Sequence, residues 1–421
     1  MQILQPVRGT SDLLPADKAR QNHVIDTAKK VGQRFGFQDM ATPLFEFTEV
    51  FARPLGDASD VVSKETYTFE DRGGTNLTLR PENTASVMRA ILSNGLTQTL
   101  PQKYIYAGPM FRYERPQKGR MRQFHQIGVE LIGPSSALAD VEVISCGAQL
   151  LDALGVLSSC TLHLNSLGDG ESRAAYRGAL VDYLTGYKDS LSEDSQRRLS
   201  LNPLRILDSK DEGDKAIVAD APLLSSYLND ASRAHYDLLC DALVKSGVSF
   251  VADPLLVRGL DYYCHTAFEF ITNDLGAQGT VLGGGRYDGL SEMLGGPPLP
   301  AVGFAAGIER LSLLIDAPDL PSSDVALVIM DAELQADGMA LANDLRRKGL
   351  SVDVPFTGNI GKKLKRADKV GARFAVLMGS DEFADGAVQY KNLATGEAKT
   401  IAIGAVGDAL MSGLAEETGK Q

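Results

Sequence analysis

Two acids and three arginines occupy settings that ordinary folding does not call for. Glu130 lies inside the apolar run QIGVELIG, where an uncompensated charge would be expensive. Glu82 sits in RPENT, just ahead of a helical run. It could accept a hydrogen bond from a ligand ammonium, or Glu82 and Thr84 could cap that helix. Arg112 ends a strand-like run, where its guanidinium could clamp a phosphate with two donors or stand as a surface arginine. Arg258 follows Leu255, Leu256 and Val257, read as an apolar strand ahead of a turn at Gly259. Arg310 opens a helix after AVGFAAG, the other reading being tight packing with a surface arginine. Arginines suit a polyphosphate, and acids suit an ammonium or an imidazole.

Around Arg112 the cations are dense. Between residues 103 and 122, Lys103, Arg112, Arg115, Lys118, Arg120 and Arg122 face the single acid Glu114. The following run alternates. Phe124, Gln126, Gly128 and Glu130 share one face, and His125, Ile127, Val129 and Leu131 share the other. The second face reads as core. The first is polar with a small central residue, fit for a ligand lying on the sheet, or for solvent. GGGRYDGL (283–290) is not a GxGxxG fingerprint, because Asp288 stands where the third glycine belongs. Its glycines would let backbone approach a flat ligand closely.

The elements that must position these residues are legible as patterns. Val24, Ala28, Val31 and Phe35 predict a helix over 15–35. TYTFED, NLTLRP, KYIYAG and RQFHQIGVELIG predict strands, the last two forming a long antiparallel hairpin across a basic loop. SALADVEVISCGAQLLDALG predicts a helix closed by Gly155. Residues 168–245 turn polar and helical, as an inserted module would. Strand patterns return at LLVRGLDYYCHTAFEFIT and GTVLGGGRYDGLSEML. APDLPSSD (317–324) reads as a linker, and strand and helix alternate beyond it, predicting a small α/β unit with a mostly parallel sheet. There GKKLKRADKVGAR (361–373) holds six cations and one acid, facing either a polyanion or solvent.

The 421 residues, 44% hydrophobic and 23% charged, suit a soluble protein of at least two domains. A net charge of −12 argues against indiscriminate nucleic-acid binding but leaves room for a local cationic footprint. The opening residues carry no secretory pattern, no run is apolar enough to span a bilayer, and the scattered cysteines fit reduced cytoplasmic thiols. Four cysteines and five histidines without clustering disfavour a metal cage.

PVRGTSDLLP, ATPLFEFTEVF, LRPENT, FRYERPQKGRMRQFHQIGVE, LVRGLDYY, GGGRYDGL and GFAAGIERL, in that order, resemble the segments of bacterial-type histidyl-tRNA synthetases. The resemblance covers nearly the whole chain and is weakest over 168–245. It implies an α+β fold: a class II synthetase-like antiparallel sheet flanked by helices (1–323), carrying the insertion, then an α/β anticodon-binding domain (324–421). It also implies a homodimer formed partly around Pro43, with ATP, L-histidine and tRNA(His) as partners and Mg2+ carried by the ATP phosphates. Glu82, Thr84 and Gln126 would hold the α-amino group of histidine. Glu130 and Tyr263 would recognise the imidazole, with Tyr262 in the same pocket, and Gly285, Arg286 and Tyr287 would line it. Arg112 and Arg258 would meet the α-phosphate and carboxylate, and Arg310 the γ-phosphate, with Glu114 beside ATP. Arg115, Gln117, Lys118 and Arg120 would serve the tRNA acceptor end. Asn83, Tyr113 and Cys264-His265 depart from the usual residues of that family. The alternative, a non-catalytic histidine-sensing regulatory subunit, would lack the C-terminal domain and degrade LVRGLDYY.

Overall fold

The computed structural model describes residues 3–55, 65–116, 119–258, 262–276, 279–320 and 322–418. The chain divides into two compact units, Met1–Pro318 and Asp319–Gln421.

An eight-stranded sheet forms the first unit's floor. Its strands are β1 (Gln38–Asp39), β5 (Gln102–Phe111), β6 (Gln123–Ile132), β11 (Ala301–Gly307), β10 (Thr280–Arg286), β9 (Cys264–Thr272), β7 (Cys160–Ser166) and β8 (Val251–Ala252), in that spatial order. All neighbours are antiparallel except the short edge pairs β1–β5 and β7–β8. β5 and β6 pair without interruption from Gln102 opposite Ile132 to Phe111 opposite Gln123. That register puts Ile127, Val129 and Leu131 on one buried face, each at 1% exposure. A one-residue slip would turn all three outward, at about 1.5–3 kcal/mol for each side chain.

Helices cover that apolar face. α1 (Pro15–Arg34) starts on Pro15, carries Asp17 in its first turn and Arg34 in its last, and buries Val24, Ala28 and Val31 as one stripe. On the other face lies α2 (Thr84–Ser93). α3 (Ala137–Ala153) joins the same core as α1; the Ser136 hydroxyl accepts from the Leu138 amide, and Gly155 takes φ +73° beyond its end. The helical insertion supplies α4 (Gly170–Thr185), α5 (Glu193–Leu201), α6 (Glu212–Val218) and α7 (Asp230–Lys245). Asp214 ties it together: its carboxylate accepts from the hydroxyls of Ser192, Ser195 and Ser209. A separate three-stranded sheet, β2 (Phe45–Phe47), β4 (Asn76–Leu79) and β3 (Tyr67–Glu70), leaves Phe45, Phe47 and Phe69 exposed. Finally, α8 (Ile308–Leu314) follows β11 directly.

The second unit holds five strands in the order β13 (Val352–Asp353), β12 (Val325–Ile329), β14 (Phe374–Met378), β15 (Ala387–Asn392) and β16 (Ala398–Ala402). α9 (Gln335–Arg347) connects β12 to β13, and α10 (Ile360–Lys369) connects β13 to β14. α11 (Val406–Thr418) closes the chain.

Two expectations are corrected. The second sheet is mixed rather than mostly parallel, because β15 and β16 form a hairpin that pairs antiparallel on β14. Its turn, NLATG, is held by the Asn392 side chain accepting from the Ala394 and Thr395 amides. Leu255–Val257 is not a strand: Pro254 follows β8, and Asp253 accepts from the Leu255 and Leu256 amides to turn the chain.

Candidate active site

A cavity of about 220 Å³ opens over β6, β10 and β11. Glu82, Thr84, Arg112, Glu114, Arg120, Gln126, Arg258, Tyr262, Tyr263 and Arg310 all line it. Residues distant in sequence therefore meet on one sheet face, as the expected site requires.

Each arginine is anchored by protein atoms. The Arg112 Nε donates to the Pro81 carbonyl at 2.9 Å, and its guanidinium lies 5.2 Å from the centre of the Phe124 ring. Arg310 donates to the carbonyls of Thr280 (2.7 Å) and Gly119 (3.3 Å). Arg258 is ion-paired with Glu269 and lies over the Tyr263 ring. Burial lowers the pKa of Arg310, and the nearby charges of Arg120 and Arg112 lower it further. Burial likewise lowers that of Arg112. Crowded, desolvated cations of this kind are stabilised by an arriving anion. For Arg258 burial acts downward too, but Glu269 and Tyr263 outweigh it and raise the pKa.

Glu82 caps its helix, as one of its two readings has it, and lines the cavity. Its carboxylate accepts from the Thr84 amide at 2.6 Å and the Ala85 amide at 3.0 Å. Asn83, the residue next to the helix, makes no side-chain cap. A carboxylate has about four acceptor sites, more than these two amides use.

Glu130 sits one layer deeper. It is 1% exposed and does not line the cavity. Three hydroxyls surround it: Thr84 donates at 2.8 Å, Tyr106 at 3.3 Å, and Tyr287 to the other oxygen. Burial drives its pKa up to about 8 despite those donors. Tyr262, Tyr263 and Tyr287 cluster beside it, with ring centres 4.8 to 6.2 Å apart.

Three buried polar atoms of the cavity residues lack a protein partner: Gln126 Oε1, Arg258 Nε and the Tyr262 hydroxyl. Unpaired buried groups are costly, and of the eleven such atoms among the described residues these three belong to the wall of one cavity. A polar ligand with both donors and acceptors would satisfy them.

The glycines serve a different purpose from the expected one. A side chain at Gly128 would strike the Tyr106 phenol, at Gly283 the Arg258 guanidinium, and at Gly285 the Tyr263 ring. The gaps are filled by the protein's own side chains, which build the pocket, rather than by a flat ligand. Gly285 and Tyr287 stand behind the wall, and Gly283 and Gly303 reach it. Arg286 is corrected outright. It is fully buried, pairs with Asp140 at 3.1 Å and Asp288 at 3.2 Å, and donates to the carbonyls of Pro134 and Ser136. It fastens β10 to α3 and does not line this cavity.

In the basic loop, Arg120 is ion-paired with Glu114, Arg122 lies 3.9 Å over the Tyr113 ring, and Arg115 is exposed. Gln117, Lys118 and the Gly259–Asp261 part of LVRGLDYY lie outside the described residues. Sequence reasoning missed Tyr106, Glu269 and Gly303. Tyr106 had a signal: in the hairpin register it falls opposite Gly128, two pairs from Glu130 and so on the same face.

A family model described as histidyl-tRNA synthetase matches residues 9–311, and one described as anticodon binding domain matches 324–412. A histidine–tRNA ligase of Rhodospirillum rubrum is 58% identical over 404 residues, 96% of this chain and 97% of that protein. One from Gluconacetobacter diazotrophicus is 55% identical, over 96% and 98% of the two chains. The apo histidyl-tRNA synthetase of S. aureus superposes with a TM-score of 0.82 at 34% identity, covering 97% of this chain and all of that one.

Proposed function

The chain belongs to the histidyl-tRNA synthetase family, and from that premise we propose how its residues carry out the ATP-dependent ligation of histidine to tRNA. The observation that carries the proposal is the meeting of three arginines with unpartnered Gln126, Arg258 and Tyr262 atoms around one cavity.

Histidine enters with its ammonium toward Glu82, Thr84 and Gln126, whose free Oε1 accepts from it. Its imidazole points down toward Glu130, with the Tyr262 and Tyr263 rings around it. Thr84 and Tyr106 donate to one Glu130 oxygen and Tyr287 to the other, and the imidazole N–H would take over one of those places. The carboxylate of histidine lies near Arg112 and Arg258. ATP lays its α-phosphate between these two and its γ-phosphate against Arg310, with Glu114 alongside. Mg2+ would arrive carried on the ATP phosphates; of the carboxylates lining the cavity, Glu114 is paired with Arg120 and Glu309 accepts from the His125 amide and ring.

The carboxylate oxygen attacks the α-phosphorus, the bond to the β-phosphate oxygen breaks, and histidyl-adenylate and pyrophosphate form. No proton moves in this step. Catalysis is positioning plus stabilisation of charge by cations held in place beforehand, which is what the anchored arginines supply. The terminal tRNA hydroxyl then attacks the adenylate carbonyl, the bond from that carbon to the phosphate oxygen breaks, and AMP leaves while the hydroxyl gives up its proton to the leaving phosphate or to water. Arg115, Gln117, Lys118 and Arg120 would guide the acceptor end. The second unit would hold the anticodon end.

The exposed Phe45, Phe47 and Phe69 beside Pro43 suit a second copy of the chain, and four cysteines without disulfides suit the reducing cytoplasm. The regulatory reading is disfavoured by the complete second unit. Histidine-dependent exchange of labelled pyrophosphate into ATP tests the activity. Exchange with histidine and none with other amino acids is expected, and its absence in folded, magnesium-supplied protein would refute the mechanism.

A further inference from the structure

Two histidines lie together where the helical insertion meets the large sheet, and the mechanism uses neither. His235 stands on α7, and His265 is the second residue of β9. Their rings stack, with centres 4.9 Å apart and planes 23° from parallel. Among the described residues His265 is the only one besides glycines with a positive φ, +45°. Its amide donates to the Gly168 carbonyl and its carbonyl accepts from the Leu167 amide, so this left-handed residue is held from both sides. Backbone strain of this kind persists only where the surroundings enforce it, and it clusters at functional sites.

The stacked face sets the plane of the His235 ring, and the ring edge meets Asp140. His235 Nε2 lies 2.7 Å from one oxygen of that fully buried carboxylate. The other oxygen accepts from Arg286 Nε at 3.1 Å. Asp288 and the carbonyls of Pro134 and Ser136 take up the rest of the guanidinium. The pairing of β10 with β9 shifts register between Gly285 and Arg286. Such an irregularity re-aims the residues beside it, which leaves side-chain bonds to hold this strand end. Those bonds belong to Arg286, and the next residue, Tyr287, donates to Glu130. A continuous chain of contacts thus runs from α7 to the pocket floor. Docking of α7 does not depend on His235, because Leu239 and Leu243 of that helix are fully buried in the core it shares with α3.

Resting on the reading that Glu130 takes the imidazole, we propose that His235 is a positioning residue for histidine binding: through Asp140 and Arg286 it keeps Tyr287 aimed at Glu130. Tyr287 sets the plane of the carboxylate and, by donating to it, favours its charged form. The helical insertion thereby takes part in amino-acid recognition, although none of its residues lines the cavity.

The test is histidine-dependent pyrophosphate exchange by the full-length chain, with KM measured for both histidine and ATP. His235→Ala should raise the histidine KM about 5- to 10-fold, the worth of one hydrogen bond, and leave kcat and the ATP KM within about twofold. His235→Gln, whose amide reaches Asp140 as a donor, should bring the histidine KM back to within about twofold of wild type. Tyr287→Phe should raise the histidine KM about tenfold, and adding His235→Ala to it should change nothing further, because both act on one bond. Circular dichroism confirms that each variant is folded. If Glu130→Gln raises the histidine KM while His235→Ala or Tyr287→Phe leaves it near wild type, the proposal falls and the reading of Glu130 stands. If Glu130→Gln leaves it unchanged as well, that reading fails and takes the proposal with it. A His235→Ala chain that loses kcat and both KM values together, effects that multiply in the double variant, or a glutamine no better than alanine would make His235 a packing residue and overturn the proposal.

Discussion

Glu130 is an acid whose surroundings oppose its charge. Its folded pKa, about 8, lies above the ordinary 4.5 because burial outweighs three donated hydrogen bonds. Across that interval the folded chain keeps a proton that the unfolded chain has lost. This carboxyl's contribution to stability is therefore full at low pH and is lost as pH rises toward and through 8, with a limiting slope of about 1.4 kcal/mol per pH unit. Glu130→Gln cannot ionise. Relative to wild type it should gain on the order of 2 kcal/mol or more between pH 5 and pH 8 in urea unfolding. Parallel pH profiles would show that the acid does not titrate there. The same variant should lose roughly 100-fold in kcat/KM for histidine, since the imidazole N–H selects the ionised form of Glu130 and an amide cannot supply that charge. Activation within threefold of wild type would count against the pocket assignment. Arg258 answers a different question. It lines the cavity with its Nε unpartnered among the described residues, while Glu269 holds the other end of the guanidinium. Arg258→Ala should cut kcat for adenylate formation by about 100-fold or more, with a smaller change in the ATP KM. A defect confined to KM would make it a binding group.

At the scale of elements, the Asp140–Arg286 pair joins α3 to β10 where both side chains are fully buried. The residue after Arg286 is Tyr287, which donates to Glu130, so this fastening and the pocket floor share a strand end. Asp140→Asn leaves a buried guanidinium short of its counter-charge and should cost about 3–5 kcal/mol in denaturant unfolding. Adding Arg286→Met removes the stranded charge and should recover part of the loss. A double variant less stable than Asp140→Asn alone would show that the Arg286 bonds to the Pro134 and Ser136 carbonyls matter more than the ion pair.

At the scale of the whole molecule, every histidine- and ATP-facing residue proposed here belongs to the unit Met1–Pro318, which holds its own buried cores. The basic run GKKLKRADKVGAR belongs to the other unit, with a separate core. A chain ending at residue 322 should keep histidine-dependent pyrophosphate exchange. Its tRNA charging should fall much further, and the remainder should depend less steeply on salt, because fewer phosphates are neutralised. Equal losses in both activities, with folding confirmed by circular dichroism, would make the second unit a support for the active site.

Short-range pattern determined much of the framework. The buried stripe of α1, the β5–β6 hairpin and α3 with its serine cap follow from periodicity and end signals that act within a few residues. The family resemblance, carried by motifs in order, named the residues that meet around the cavity. Tertiary packing decided what fills each gap and what each charge faces. Gly128 makes room for Tyr106, Gly283 for Arg258, and Arg286 turns inward to Asp140 rather than toward the cavity. The β15–β16 hairpin escaped notice because β15, though it alternates at Val388 and Tyr390, is short, and β16 is almost wholly exposed and shows no alternation. Glu82 could both cap α2 and face a ligand because a carboxylate has four acceptor sites, and local sequence cannot say who uses them. These outcomes depend on side chains far apart in the chain, and only the packed sheet brings them within reach of one another.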